Sequence, residues 1–519
     1  MRLDTRLDME LEIRLFAGAN LAVCRSAGKM KQDVRRVRPM IQLKNGDQMT
    51  FLVKLNRCLR SLFIGAVLLT SGLVSVSVQA QTAPATGAPT VSAAEVSAAT
   101  VTTAAVAKER FVKAEQINPG DTAWLLVSTA LVMMMTLPGL AFFYAGLVRK
   151  KNILSMMTHV FIAAAVVTVA WFAVGYPLAF SDGNAWLGSA SVKAMFLADI
   201  AVDPSKRIAV HQLASTIPEM VFSLYQAAFA VITGALIVGS FAERVKFGVT
   251  AWFCGIWTVL VYAPVAHWVW APTGWLNQMG VADFASGTVV HVNAGAAALA
   301  CAFAVGPRRG YGREAMIPAN LAYMLIGTGL LWVGWFGFNG GSAMGANTIA
   351  GLAMVNTQIA AAVAAIVYVL LEWMLRGKAS LVGLATGAVA GLVCITPAAG
   401  YVDPLTALYF GAAGALAAYV GVTFIKGWLG ADDSLDVFAI HGVVGIVGSL
   451  MTGFLAQAAF LGRPPSFSSE LIAVVSVLAY SFVVSFIIMK LLNSIMGARV
   501  SEDDERDGLD LSQHGEQVS

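Results

Sequence analysis

Asp283 to Ala296 reads DFASGTVVHVNAGA, and a second stretch, Asp436 to Gly453, reads DVFAIHGVVGIVGSLMTG. Together they settle the class of fold. His291 sits in an apolar segment, Phe284 to Val305, long enough to cross a bilayer. His441 repeats the arrangement, and a carboxylate lies a few residues before each histidine. Gly287, Ala294 and Ala298 recur at helical spacing in the first segment, and Gly442, Gly445 and Gly448 in the second. Small residues at that spacing let neighbouring helix backbones approach closely. An ionisable side chain inside a span is costly and marks function by default. A lone histidine could simply bond a neighbouring helix; two in matching contexts argue for a shared role.

Composition points the same way. The chain has 519 residues, 58% hydrophobic and 12% charged, with 49 glycines and a mean hydropathy of +0.72. That balance describes an all-α polytopic membrane protein with tightly packed helices. The net charge of +4 resides mostly in loops, where it sets orientation, and it offers no nucleic-acid surface. Cys24 and Cys58 precede the expected mature chain; Cys254, Cys301 and Cys394 lie in or beside apolar spans. Their spacing supports neither a metal site nor a disulfide framework.

Residues 1–48 are basic and mixed and read as an upstream extension foreign to the native chain. Residues 49–80 carry Lys54, Arg57 and Arg60, then the apolar run Leu62–Val74 and the small-residue site Val78-Gln79-Ala80. This is the pattern of a secretory signal peptide. Residues 81–118 form a low-complexity Ala/Thr/Val/Pro-rich leader on the outside, 119–499 the membrane domain, and 500–519 an acidic cytoplasmic tail.

Eleven spans are expected, near 122–147, 155–180, 219–241, 248–269, 284–305, 316–338, 348–375, 380–397, 403–426, 436–458 and 468–496. A cleaved signal places the mature N-terminus outside. Arg149, Lys150, Lys151, Arg244, Lys246, Arg308, Arg309, Arg313, Arg376, Lys378 and Lys426 then fall in cytoplasmic loops, and only Lys193, Lys206, Arg207 and Arg463 in external ones. The positive-inside rule agrees, and the C-terminus is cytoplasmic in a plasma (inner) membrane. An odd count is met by two inverted five-helix repeats plus one extra helix. The histidine segments become the fifth span of each repeat, displaced from opposite faces by roughly 10 Å at 1.5 Å per residue. Inverted repeats place binding sites near the midplane, where the two histidines can meet.

This topology also gathers aromatic groups at the outer face. The fourth span ends in Val265-Ala266-His267-Trp268-Val269-Trp270, and the sixth in Trp335-Phe336-Gly337-Phe338-Asn339-Gly340-Gly341-Ser342. Phe338 and Ser342 share a helix face, as do Tyr225, Gln226 and Phe229 on the third span. Aromatic faces with a hydroxyl suit a small cation bearing N–H donors, held by cation–π attraction and a hydrogen bond. For Trp268 and Trp275 an interfacial aromatic belt explains as much. His159 reads as packed, His267 as packing near the vestibule, and His211 and His514 as solvated.

The segments GSFAERVKF, DFASGTVVHVNAG, GWFGFNGGSAMGAN, EWMLRGK, TPAAGYV and DDSLDVFAIHGVVGIVGSLMTG resemble the ammonium transporter (Amt/Mep/Rh) family, in its bacterial form, over about 122–517. The tail DDERDGLDLSQHGE is similar too, and the resemblance adds a regulatory role to residues 500–519. The resemblance implies a homotrimer with a pore in each subunit, no cofactor, ammonium or methylammonium as substrate, and a PII signal-transduction protein as partner at the cytoplasmic face. By motif position Phe229, Trp270 and Ser342 resemble the external recruitment site. Phe229 and Phe338, with Gln226 beside them, resemble its gate. His291, His441, Trp335 and Thr396 are similar to pore positions, and Asp283 to a structural or electrostatic carboxylate. The stretch between Trp270 and Asp283 is one residue longer than in the bacterial pattern.

The expected function is recruitment of ammonium outside, deprotonation near the phenylalanines, and passage of ammonia, with net proton transfer implied by the resemblance. A cation without partners is expensive in low dielectric, so an apolar pore favours the neutral form. The alternatives are an ammonium sensor coupled to nitrogen signalling, which the short tail disfavours, and a haem enzyme with the histidines as axial ligands.

Overall fold

The computed structural model describes residues 110–189, 191–200 and 207–518. The upstream extension, the signal peptide and the leader up to residue 109 lie outside these residues. Among the described residues eleven helices are long and apolar enough to cross a membrane: α1 Pro119–Leu147, α2 Lys150–Phe180, α3 Glu219–Phe241, α4 Phe247–Gln278, α5 Gly287–Val305, α6 Leu321–Gly341, α7 Thr348–Arg376, α8 Leu381–Ala398, α9 Pro404–Leu429, α10 Phe438–Leu455 and α11 Phe467–Met496. Prolines explain why several bend. Pro138 lies in a π-turn of α1, while Pro177 in α2 and Pro264 in α4 follow π-turns directly. Proline removes a backbone donor and crowds the preceding turn, and a widened turn accommodates both.

Helix starts departed from hydropathy where polar chemistry intervened. The fifth span begins at Gly287 rather than 284, because Ser286 has φ 95° and the Asp283 carboxylate caps the first turn. The sixth begins at Leu321 rather than 316, where the Asn320 side chain accepts from the amides of Ala322 and Tyr323. That is an N-cap, and it outranks apolarity in setting a boundary.

The repeat symmetry is visible in the crossings. In α1 and α6, Gly139 lies against Leu331, Met135 against Gly334 and Leu131 against Gly337, so these helices run antiparallel. In α5 and α10, Thr288 reaches Ser449, His291 lies against Gly445, and Gly295 against Gly442, again antiparallel. A Cβ on Gly295 would stand 2.3 Å from the Gly442 Cα, so the two backbones approach this closely because Gly295 has no side chain. Helix α11, the extra one, packs along α5.

Residues 110–118 correct the leader's boundary. Phe111–Val112 form strand β1, which pairs antiparallel with β2 (Ile208–His211), and β2 pairs with β3 (Ala214–Pro218). His211 is therefore buried rather than solvated, its Nε2 at 3.0 Å from the Phe180 carbonyl and its ring stacked on Phe222 at 4.5 Å. His159 is buried as expected, with Nδ1 3.1 Å from the Thr250 hydroxyl.

At the other helix ends, loops are held by buried ion pairs. Arg244 donates to the carbonyls of Gly306, Ser240 and Asp432 at 2.8, 3.1 and 2.7 Å, binding three loops at once. Arg308 grips the Asp432 carboxylate through Nε and Nη2, both at 2.9 Å. Burial alone would push that carboxyl up, but the two guanidiniums outweigh it and hold it below its ordinary range. The tail continues this network as two short helices, α12 Glu502–Asp507 and α13 Leu509–His514. Glu505 accepts from the Arg309 amide and from Arg499 Nη2 at 2.7 Å, and Asp510 accepts from the Ser155 amide at 2.7 Å, beside the start of α2. His514 is half-buried against Phe247, 5.5 Å between rings, rather than solvated.

Candidate functional site

Each histidine is presented by a π-turn, Gly287–Val292 for His291 and Phe438–Val443 for His441. Each turn follows a residue with positive φ and is capped by a carboxylate. Asp283 accepts from the amides of Ser286, Gly287, Thr288 and Val289 at 2.6–3.1 Å, so both its oxygens are fully engaged. On α10 the corresponding group is Asp433, which accepts from the Phe438 amide at 2.7 Å. Asp436, the carboxylate nearest His441 in sequence, instead pairs with Lys426 at 2.7 Å. Asp283 and Asp433 each stand eight residues before their histidine, a match in spacing that the sequence offered and apolar patterning passed over. Burial raises the Asp433 carboxyl to about 6.

The antiparallel crossing of α5 and α10 brings the imidazoles together. Nδ1 of His441 lies 3.2 Å from Nδ1 of His291, and the rings are near-parallel with centroids 5.3 Å apart. One nitrogen of that contact donates and the other accepts, so at least one ring is neutral. The accepting ring then carries its proton on Nε2, and the donating ring leaves its Nε2 free to accept. With both rings neutral, the pair offers one donor and one acceptor whichever way the shared proton sits. Nε2 of His291 is buried without a partner. The direct contact between the rings leaves no room for a macrocycle, which removes the haem reading.

Above the histidines stand two stacked phenylalanines. Phe229 on α3 and Phe338 on α6 have centroids 4.2 Å apart and an interplanar angle of 20°. They divide two cavities. The outer one, about 380 Å³, is lined by Phe229, Gln226, Trp270, Asp283 and Ser342, together with Phe284, Tyr401 and Arg463. The inner one is about 10 Å³, close to the minimum for one water-sized molecule, and is lined by Phe338, Trp335, His291, His441 and aliphatic side chains such as Ile232 and Leu331. Trp335 stacks on His291 at 5.5 Å and turns its indole N–H away, donating to the Thr396 hydroxyl at 2.8 Å. Thr396 is not among the residues lining the inner cavity; it fixes Trp335.

In the outer cavity Trp270 meets Phe229 edge-on at 5.9 Å and donates its indole N–H to the Asp283 carbonyl at 3.0 Å. Its π face is left for the cavity. The Ser342 hydroxyl donates to the Phe338 carbonyl at 2.9 Å, with the Tyr225 hydroxyl 3.3 Å away, which orients a serine lone pair outward. The Gln226 Oε1 is buried without a partner. Rings, a hydroxyl and an amide oxygen converge without a fixed anion exposed among them, an arrangement suited to a small cation that can surrender a hydrogen-bonded proton. His267 lies behind this wall, with Nδ1 and Nε2 at 2.9 and 2.8 Å from the carbonyls of Ala179 and Asn184. Phe284 and Tyr401 lie inside the quoted motifs DFASGTVVHVNAG and TPAAGYV and Arg463 among the external-loop charges, but sequence reading gave none of them a site role.

A larger cavity, about 480 Å³, lies beside the small sheet. Three of its charges pair with one another: Arg110 with Asp199 at 3.0 Å and with Glu219 at 3.4 Å, and Tyr176 donates to Glu219 at 3.0 Å. We read it as a structural junction. Among the described residues no group of His, Cys, Asp and Glu could hold a metal ion.

Comparison with known proteins bears on this geometry. The family model described as Ammonium Transporter Family matches residues 123–519. A putative ammonium transporter from Methanothermobacter thermautotrophicus is 44% identical over 411 residues, covering 77% of this chain and 98% of the relative. Among solved structures, Candida albicans Mep2 is similar with TM-score 0.69 and 36% identity, covering 75% of this chain and 88% of that one. A structure described as a sensor Amt protein is similar with TM-score 0.70 and 28% identity, covering 76% and 98%.

Proposed function

The chain belongs to the ammonium transporter family, a family of membrane transporters rather than enzymes, and from that premise we propose that it conducts ammonia derived from external ammonium. The observation that carries the reading is the division of the lumen by Phe229 and Phe338 into a roomy aromatic chamber and a narrow one holding the histidine pair. Ammonium is held outside by Trp270, Phe229 and the Ser342 hydroxyl. It loses a proton beside Gln226 and the phenylalanines, because carrying a charge into the apolar chamber without partners is prohibitive. Ammonia then passes His291 and His441, which supply a donor and an acceptor without a fixed charge. The proton crosses as well, so that transport is electrogenic.

We place the protein in the plasma (inner) membrane as a homotrimer, with its N-terminus outside and its tail in the cytoplasm. The basic inner loops and the docked tail support a PII signal-transduction protein as the partner that closes the inner mouth. A second reading rests on the likeness to a sensor Amt protein: the same pore would report ammonium to a partner. Saturable uptake of labelled methylammonium by cells lacking their own transporters decides for transport.

Trp270→Leu tests the recruitment step. Loss of a cation–π contact worth about 0.5–2 kcal/mol raises the half-saturation concentration about two- to thirty-fold. The maximal rate changes little, because the inner chamber is untouched. Uptake measured across a concentration series checks this, and an unchanged curve removes Trp270 from the site.

A further inference from the structure

The loop between α4 and α5 is held by the start of α11 and the residues just before it. Ser469 donates its hydroxyl to the Met279 carbonyl at 2.7 Å. Arg463, just before the helix, donates to the Val281 carbonyl at 2.8 Å. One residue further along each segment, Glu470 accepts from the Ala282 amide through Oε1 at 2.5 Å. The next residue, Asp283, offers its carbonyl to the Trp270 indole and its carboxylate to the start of α5. Loop, indole and histidine helix thus hang on one backbone segment, and Glu470 is the side chain that holds the amide at its centre.

Glu470 is unusual on its own terms. It lies in the first turn of a membrane-spanning helix, is 1% exposed, and does not line the outer cavity. Its carboxyl stem packs over α10, where a Cβ on Gly453 would come within 2.9 Å of its Cγ. Its Oε2 is buried without a partner, and its charged neighbours are Asp283 and Arg463. An ionised carboxylate there would leave one oxygen bare in an apolar setting, beside a second carboxylate, which is expensive. A carboxylic acid meets the same geometry at lower cost. An ionisable group inside a span marks function when its partner can be named, and here the partner is the Ala282 amide.

We propose that Glu470 is a positioning residue for the outer site: as a neutral carboxyl it anchors the Ala282 N–H, and through that backbone it sets the Asp283 carbonyl that orients the Trp270 ring. The inference rests on the recruitment reading above and names a residue that acts on it from behind the wall. Glutamine preserves the accepting oxygen, the volume and the neutrality. Leucine preserves volume and removes the acceptor.

The test uses the full chain in reconstituted membranes, with Glu470→Gln and Glu470→Leu beside the parent. Two quantities are read: the concentration dependence of methylammonium uptake, and hydrogen exchange of the backbone amides around Ala282. The leucine variant should raise the half-saturation concentration several-fold with its maximal rate nearly kept, and should speed exchange at Ala282. The glutamine variant should match the parent in both. If glutamine behaves like leucine, the carboxyl acts through charge or its proton and the positioning role is overturned. If leucine leaves both quantities at the parent's values, it is overturned as well. Should the parent itself show no saturable uptake, the transport reading fails, while the exchange measurement still decides whether Glu470 holds the loop.

Discussion

Glutamate in place of His291 or His441 should admit potassium. Potassium and ammonium are alike in size and charge, so the aromatic chamber around Trp270 discriminates between them poorly. The difference that an apolar lumen can use is ammonium's removable proton. The histidine pair preserves that use because its two imidazoles, in contact at 3.2 Å, satisfy each other and add no fixed charge to a chamber lined otherwise by Phe338, Trp335 and aliphatic groups. A carboxylate there gives a desolvated cation a partner. We expect selectivity for ammonium over potassium to fall at least about tenfold, a change of only about 1.4 kcal/mol. Replacing both histidines by apolar residues should slow uptake while keeping potassium out. Currents of both ions in the same reconstituted membranes check this. Carboxylate variants as selective as the parent would pass the role to the stacked Phe229 and Phe338.

Gly295→Ala should be among the more damaging single methyl groups in the membrane domain, and it acts directly on the histidine crossing. The added Cβ would meet the Gly442 Cα at 2.3 Å and its nitrogen at 2.4 Å, and both obstacles are backbone. Overpacking a core commonly costs about 1–3 kcal/mol when side chains can shift; here α5 and α10 must part instead. Their separation pulls apart the histidine contact one turn away. Uptake should fall more than tenfold and the thermal transition of the purified protein should drop. Gly329→Ala on α6 is the control, since nothing lies within 4 Å of its would-be Cβ; it should behave as the parent in both measurements.

Much of this molecule was determined by its sequence alone. Eleven spans, their order and the pairing of two histidine segments follow from hydrophobic length, loop charge and recurring small residues, all of which are local properties that a bilayer reads directly. The site roles around Phe338, His291 and His441 came instead through the resemblance of their motifs to the ammonium transporter family. What tertiary structure decided was partnership. Asp433 rather than Asp436 caps the second π-turn, because Lys426 takes the nearer carboxylate. His211 is buried rather than solvated, because its loop forms a small sheet that also takes in Phe111–Val112 from the end of the expected leader. Thr396 stands behind Trp335 rather than in the lumen. Glu470 reaches a loop almost two hundred positions away in the chain, and nothing in its own neighbourhood announces it. Each of these depends on which backbone amide or carbonyl is left without a partner once the helices have packed, and that is a property of the assembled bundle, since every buried polar group must find its match in space rather than along the chain.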